Sequence, residues 1–570
     1  MFEKIVEKNR DNYIQLLLSL ILFSIGIYYS EIYKNEYVNK GFSAFYAADY
    51  LLRPENYIYG FASGAELIKN TIVIVPYIIM NYLGVTWGVG IYFMVFSELL
   101  AIILLIFYLI SDCFCIFNIK NESKLICVFL ITIILTISNF RGFNLGMWGM
   151  PYFNGQNYNF VDAIRFYVLF KVFTDKNYQL RNVILLLFSC MFIHIVQSLW
   201  AISLVGLYYL INKEFKKAIS LTLFFGVSSL IFMKALSHNG DLVSGIELYE
   251  IAKYKNWHFF PYHRLGASYL LKSLLPCLSI VLLSLYFLYK YFKDSKVFAL
   301  RFLIIGSFLI SFLGLLMTSL SYIPPLIIKI APIRVTDITL FFSSFIIFIT
   351  VLFKVDKDPI RITLLTTFLA VILYFKILYL LWIIPVCIII INLKSHGRVT
   401  IFGFVICLSL YFKQGILRNV DFRKNNSTVE VSTWIKNNMN VGELFLATPD
   451  RRTGFRALAF KPSYGSLREW SHDGFLYTSD NDIKRLGERR IKVIYGTKLN
   501  LKKAKSLVKY YRIMRKESLT TYLNIGEEQL KNLKKDHVKY IIANINQVPK
   551  VLEKKSKIVF QNDHYTIFRI

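Results

Sequence analysis

Acidic residues are scarce in this chain and cysteines scarcer, and both shortages narrow what the protein can be. Asp and Glu number 36 against 66 Lys and Arg, which gives a formal charge of +30 over 570 residues. Such a charge would suit a nucleic-acid partner, yet no helix-turn-helix, zinc-finger or RNP-like pattern occurs, so nucleic-acid binding is not expected. The excess divides between a tail after residue 413 and short loops separating apolar runs, where anionic lipid headgroups suffice to meet it. The cysteines are Cys113, Cys115, Cys127, Cys190, Cys277, Cys387 and Cys407, all before the tail. Their number is odd, only Cys113 and Cys115 are close, and no histidine completes a zinc set. Neither a disulfide framework nor a metal centre is indicated, and the thiols read as small apolar core residues. GxGxxG, P-loop and GxSxG patterns are absent too, and Asp480-x-Asp482 is a DxD spacing that chance supplies often. No cofactor is identified; a divalent metal is compatible with the chain but nothing points to one.

Apolar sequence is what the chain has in excess. It is 55% hydrophobic and 16% aromatic, with a mean hydropathy of +0.48, too apolar for a soluble globular protein. A bilayer core needs about 20 apolar residues in a helix, and residues 1–412 supply such runs repeatedly. The expected fold class is a multi-pass α-helical membrane protein of about thirteen spans, carrying a C-terminal soluble α/β domain over 413–570. Spans are expected at 13–29, 86–110, 125–139, 160–173, 183–196, 199–211, 219–236, 269–292, 298–318, 338–355, 362–375, 378–391 and 401–412. The run at 72–83, interrupted by Pro76, reads as an interfacial or half-inserted helix. In the tail, short apolar strands are expected at 443–447, 491–495, 538–542, 558–560 and 565–568.

Charge sets the expected orientation. Lys4, Lys8 and Arg10 precede the first span, and no small-residue cleavage site follows it, which places the N-terminus in the cytoplasm. The loops 112–124, 174–181, 213–217, 290–296, 354–361 and 394–398 are short and basic. Those at 30–70, 141–159, 237–267 and 319–337 are mostly longer, polar and aromatic. The positive-inside rule puts the first set in the cytoplasm and the second, with the C-terminal domain, outside.

The outer loops hold most of the candidate chemistry. Loop 30–70 carries Glu31, Glu36, Asp49, Glu55 and Glu66. Residues 42–52 have a helical period, with Asp49 just before Arg53-Pro54. A carboxylate among apolar and aromatic neighbours can act as a general base, while solvated loop charges are the plainer alternative. Loop 141–159, rich in Gly, Asn and aromatics, suits either sugar binding or a tight surface loop, and Arg141 at its start can grip an anionic headgroup. His258, His263 and Arg264 in the third loop form a cation cluster for a phosphate or, equally, an interfacial anchor. Pro261 separates the two histidines, which argues against a metal pair. Arg334 at the mouth of a late span either snorkels to lipid phosphate or lines a cavity. Within spans, Glu98 and His194 are ionisable and so functional candidates, although Glu98 can simply pair with a basic neighbour and His194 lies near a helix end.

Several stretches resemble the membrane-embedded GT-C type glycosyltransferases, including uncharacterised bacterial relatives: AADYLLRPENYIYG in the first loop, NWHFFPYHRLG in the third, APIRVTD in the fourth, and VSTWIKNNMNVGELFLATPDRRTGFRALAF in the tail. The resemblance covers nearly the whole chain in layout, through weak local motifs. It departs at NEYVNKGFSAF, where Lys40 stands in place of an acid. It implies transfer of a sugar from a polyprenyl-phosphate carrier to a glycan, lipid or protein acceptor on the outer face of the cytoplasmic membrane. A first-loop carboxylate (Asp49, Glu55 or Glu66) would take the acceptor proton. Arg334, with His258, His263, Arg264 or Arg141, would hold the carrier phosphate. The alternative is a transporter, flippase or polymerase of lipid-linked surface polysaccharide units, against which the absence of an internal repeat counts.

Overall fold

The structure is a computed structural model that describes residues 2–40, 44–57, 74–118, 124–138, 144–145, 158–236, 273–317, 330–354, 422–448, 454–466, 470, 481–495 and 519–570. It is mostly helical, with one small sheet near the C-terminus. The helices are α1 (Phe2–Lys40), α2 (Ala44–Leu52), α3 (Ile74–Tyr82), α4 (Trp87–Phe117), α5 (Lys124–Ser138) and α6 (Tyr158–Thr174). There follow α7 (Leu180–Ile211), α8 (Phe215–Leu236), α9 (Leu275–Tyr291), α10 (Leu300–Met317) and α11 (Thr336–Lys354).

Among the described residues, four helices are long and apolar enough to cross a bilayer: Trp87–Phe117, Leu180–Ile211, Lys296–Met317 and Pro332–Thr350. Thirteen spans are not reached on this count. The runs expected at 362–375, 378–391 and 401–412 lie outside the described residues. Elsewhere the expected runs coincide with helices, some of them too short to cross alone. The first expected outer loop is also shortened from its start, because α1 stays helical through Lys40 instead of ending near residue 30.

Side-chain pairings give the relative directions of the helices. Tyr37 stacks on Trp87 at 5.1 Å and Phe23 meets Phe96 at 5.4 Å, so α1 and α4 run antiparallel. Asn159 bonds Glu98 and Lys171 bonds Asp112, so α4 and α6 run the same way. Phe166 stacks on Phe341 at 4.4 Å and Phe170 meets Phe345, which aligns α11 with α6. The Pro332–Thr350 segment is almost wholly buried and forms the centre of the bundle.

Helix α7 does not run straight. Its 32 residues would span about 48 Å if extended as one helix. Tyr208 near its end nevertheless lies 4.1 Å from Phe173, beside its start, while Cys190 reaches Val161 at the other end of α6. The helix therefore folds back on itself at His194, whose φ of −155° and ψ of 95° are non-helical. The two runs expected at 183–196 and 199–211 are the arms of this hairpin. Each arm is shorter than the roughly 20 residues that a full crossing needs, so α7 meets the crossing length only when its two arms are counted as one helix.

One end of the bundle, here called its head, thus gathers the C-terminal end of α1, the N-terminal ends of α4, α6 and α11, and the bend of α7. The C-terminal domain meets the bundle at this same head. Its sheet has strand order β1-β2-β4-β3, with β1 (Leu444–Leu446) parallel to β2 (Val538–Asn544), and β4 (Tyr565–Arg569) antiparallel to both β2 and β3 (Lys557–Gln561). Along β2, Ile541 and Ala543 enter one apolar cluster while Tyr540 and Ile542 enter another, the period-2 alternation of a sheet covered on both faces. The strand expected at 491–495 is instead the last turn of a helix, Asn481–Tyr495. Gly487, Arg490 and Ile494 are buried there at helical spacing, and that longer period overrides the local β preference of the Ile-Lys-Val-Ile-Tyr run.

Candidate functional site

The head of the bundle holds a buried polar network built chiefly from the first two turns of α6. Asp162 and Arg165 are three residues apart in YNFVDAIRF, so they share a helix face. The Arg165 Nε donates to Asp162 Oδ1 at 2.8 Å, and its Nη2 lies 2.7 Å from the same oxygen. That Nη2 also reaches Asp337 Oδ2 at 3.5 Å. Asp337 lies in the first turn of α11, where the helix dipole favours a carboxylate, and its other oxygen accepts a hydrogen bond from the Asn144 side chain. Beside this group, Asn159 Nδ2 donates to Glu98 Oε2 at 2.7 Å. Arg165, Asp162, Asp337, Glu98, Asn144 and Asn159 are all buried. Charges in such a setting persist when paired and hydrogen-bonded: Arg165 meets Asp162 and Asp337, and the asparagine amides donate to Asp337 and Glu98.

His194 and Arg334 join the network from two further elements. His194 occupies an extended backbone conformation at the start of the second arm of α7, and its Nδ1 accepts the Gln197 backbone N–H at 3.3 Å. This is the geometry of an N-cap, with an imidazole nitrogen in place of the usual side-chain oxygen. The ring also packs 5.0 Å from that of Tyr158. Trp200, farther along the arm, donates from Nε1 to the carbonyl of Ile330 at 2.8 Å and so ties the hairpin to the segment that presents Arg334. Arg334 rides on a 3-10 turn, Pro332–Val335. The turn is entered through Ala331 at φ +46°, a left-handed conformation that costs an L-residue about 1–2 kcal/mol. Gly314 lets the turn come close, since a Cβ there would stand 2.7 Å from the Ile333 nitrogen. Arg334 lies within electrostatic reach of both His194 and Asp337.

Asp49 belongs to a neighbouring group. Helix α2 ends at Leu52, and Pro54 opens a 3-10 turn through Tyr57, as X-Pro geometry favours. Asp49 is buried, with Oδ1 bonded by Arg53 and Oδ2 by the Tyr57 hydroxyl. Burial, followed by the neighbouring Tyr46 phenol and the Asp49 carboxylate, holds the Tyr57 phenol protonated far above the ordinary tyrosine range. Tyr57 is thereby kept as a donor. Tyr46 meets Tyr57 edge-on at 5.2 Å, and Phe45 meets Tyr77 of α3 at 4.9 Å. Tyr77 is hydrogen-bonded to Tyr33 and lies within electrostatic reach of Glu98, so aromatic residues link the two polar groups.

Of the residues singled out in the sequence, Glu98, His194 and Arg334 come together in the α6 network, and Asp49 stands beside it. Glu55 is exposed and joins neither group. Glu66, Arg141, His258, His263 and Arg264 lie outside the described residues. Sequence reasoning missed Asp162, Arg165, Asp337, Asn144 and Asn159. The signal for two of them was present, since an Asp-x-x-Arg pair inside an apolar span is costly unless it is used. Among the described residues, no group of three or more His, Cys, Asp or Glu side chains is arranged to hold a metal ion. No known family model matches this chain, and no curated protein is significantly similar to it.

Proposed function

We propose that this protein is a multi-pass membrane glycosyltransferase that moves a sugar from a polyprenyl-phosphate carrier to an acceptor on the outer face of the cytoplasmic membrane. The observation that carries this reading is the gathering of buried carboxylates and arginines at one end of a membrane bundle, the end at which the C-terminal domain also sits. Lipid-linked substrates present a phosphate at that level, with the polyprenyl chain between helices. The orientation proposed is N-terminus in the cytoplasm and C-terminal domain outside, supported by the basic short loops at the opposite end. About thirteen spans remain part of this reading.

In the reaction, the acceptor hydroxyl gives its proton to Asp49 while its oxygen forms a bond to the anomeric carbon. The bond from that carbon to the phosphate oxygen breaks, and the carrier phosphate leaves with the electron pair. Asp49 is held in place by Arg53 and Tyr57, yet each carboxylate oxygen keeps a second lone pair for the acceptor. Arg334, half-buried at the head of α11, holds the carrier phosphate and stabilises the charge that grows on it.

Purified full-length protein incubated with a panel of polyprenyl-phosphate sugars should release carrier phosphate. Arg334→Ala should weaken donor binding by about 1.5–3 kcal/mol, roughly ten- to a hundredfold, and more than Arg334→Lys does. Asp49→Asn should lower turnover about 10²–10⁴-fold with donor affinity nearly intact, against Glu55→Gln and Glu66→Gln as controls. Transfer at the wild-type rate by all three amide variants would refute the base assignment. A second reading, transport of lipid-linked units, draws on the broken hairpin at His194, because discontinuous helices often line transport sites. Movement of labelled lipid across vesicles without release of carrier phosphate would favour it.

A further inference from the structure

The C-terminal domain does more than sit near the membrane bundle. Its short helix Phe455–Ala459 lies against the end of α1, where the Tyr37 hydroxyl donates to the Ala457 carbonyl at 3.0 Å. Gly454 permits the approach: a Cβ at that position would stand 1.8 Å from the Val38 carbonyl oxygen. The helix carries Arg456, which is buried at 4% exposure, with its guanidinium 5.0 Å from the centre of the Tyr46 ring. Tyr46 meets Tyr57 edge-on, and Tyr57 donates to Asp49. A continuous line of contacts therefore runs from the tail of the chain to the first-loop carboxylate.

We propose that the C-terminal domain is a working part of the Asp49 site and that Arg456 is a positioning residue for this carboxylate, an inference that rests on reading Asp49 as the general base. A guanidinium over the face of Tyr46 is attracted by the ring's negative quadrupole and draws α2 against the domain. Tyr46 and Asp49 lie one turn apart on α2, so fixing one fixes the other. A buried arginine is costly unless its charge is met, and the face of the Tyr46 ring is one of the groups that meets it here.

The test uses full-length protein in lipid nanodiscs, comparing wild type with R456M, R456K and G454A. Each is assayed for release of carrier phosphate, with kcat and KM for the donor, and for hydrogen–deuterium exchange over residues 44–57. R456M should lower kcat about ten- to a hundredfold, the scale expected when a reacting group is displaced by a fraction of an ångström to an ångström. Its donor KM should stay within about twofold, since uniform binding is untouched, and exchange over 44–57 should quicken. R456K should recover most of the kcat, while G454A, which forces the helix off Val38, should reproduce R456M. Wild-type kcat in R456M, or unchanged exchange over 44–57, would overturn the proposal. If wild type itself releases no carrier phosphate from any donor, the glycosyl-transfer reading falls instead, and the exchange comparison alone then decides whether Arg456 holds this segment.

Discussion

Arg165 sits between Asp162 and Asp337 with 1% of its side chain exposed, whereas Arg489 in the C-terminal domain reaches Asp536 with 63% of its side chain in solvent. The chemical partners are the same, and the surroundings separate their consequences. Arg489 stands in water, so joining it to the mostly buried Asp536, which also holds the Tyr464 hydroxyl, gains less, and salt screens part of that gain. Inside the bundle neither ion has water to return to, and each survives by holding the other. Fixed geometry at the head of the bundle is the result, while Arg489 is free to swing away from Asp536 into solvent.

The largest loss of stability is expected at Arg165. Arg165→Met keeps most of the volume and leaves two buried carboxylates without their cation, which should destabilise the protein by about 3–5 kcal/mol. Thermal unfolding of detergent-solubilised protein, followed by size-exclusion monodispersity, would register it. Asp337→Asn should be much milder, because Arg165 and Asp162 then remain as a neutral pair. An Asn variant as damaged as the Met variant would show that charge balance is not what holds the network.

A smaller effect is expected at the hairpin. His194→Ala removes the side-chain acceptor for the Gln197 N–H and should cost about 0.5–2 kcal/mol, as lost N-caps do. His194→Asn should restore most of it, since asparagine caps well. Equal melting temperatures for wild type and Ala would mean that the bend is held by Trp200 and packing alone.

The smallest effect belongs to Arg489, the solvent-facing member of its pair. Arg489→Ala should cost about 1 kcal/mol, because Asp536 keeps the Tyr464 hydroxyl as a donor, and the cost should shrink in high salt. A salt-insensitive loss as large as that of Arg165→Met would erase the distinction between the two sites.

Much of the helical layout was legible beforehand because hydropathy is a local property. The runs at 86–110, 125–139, 160–173, 219–236 and 298–318 each fall within or closely match a helix. So was the helix bearing Asp49 and its end at Arg53-Pro54, since proline restricts its own neighbourhood whatever packs against it. Strands at 538–542 and 565–568 were legible from their apolar, β-branched and aromatic content. The run at 491–495 was misread because its five residues suit a strand, while the buried face that makes them helical extends back through Gly487.

The candidate site was less legible. Glu98, His194 and Arg334 stood out as charges where charges are costly, but nothing local joined them. Asp162 and Arg165 carry the same local signal, two opposite charges at helical spacing in an apolar run, but their link to Asp337 has no counterpart in the nearby sequence.

The sequence by itself determined that apolar helices fill most of the chain, that a basic domain with a small sheet follows, and where several helices begin and stop. These follow from side-chain hydropathy and backbone restriction, which act over a few residues. Only the tertiary structure decided that Arg165 meets Asp337 across 172 residues of chain, that Glu98 meets Asn159, and that Tyr37 reaches Ala457 across 420. Such contacts depend on which helix faces pack together and on where glycines let backbones touch. Nothing in the residues flanking either partner records that choice, because the energy that selects it comes from burial shared between distant segments.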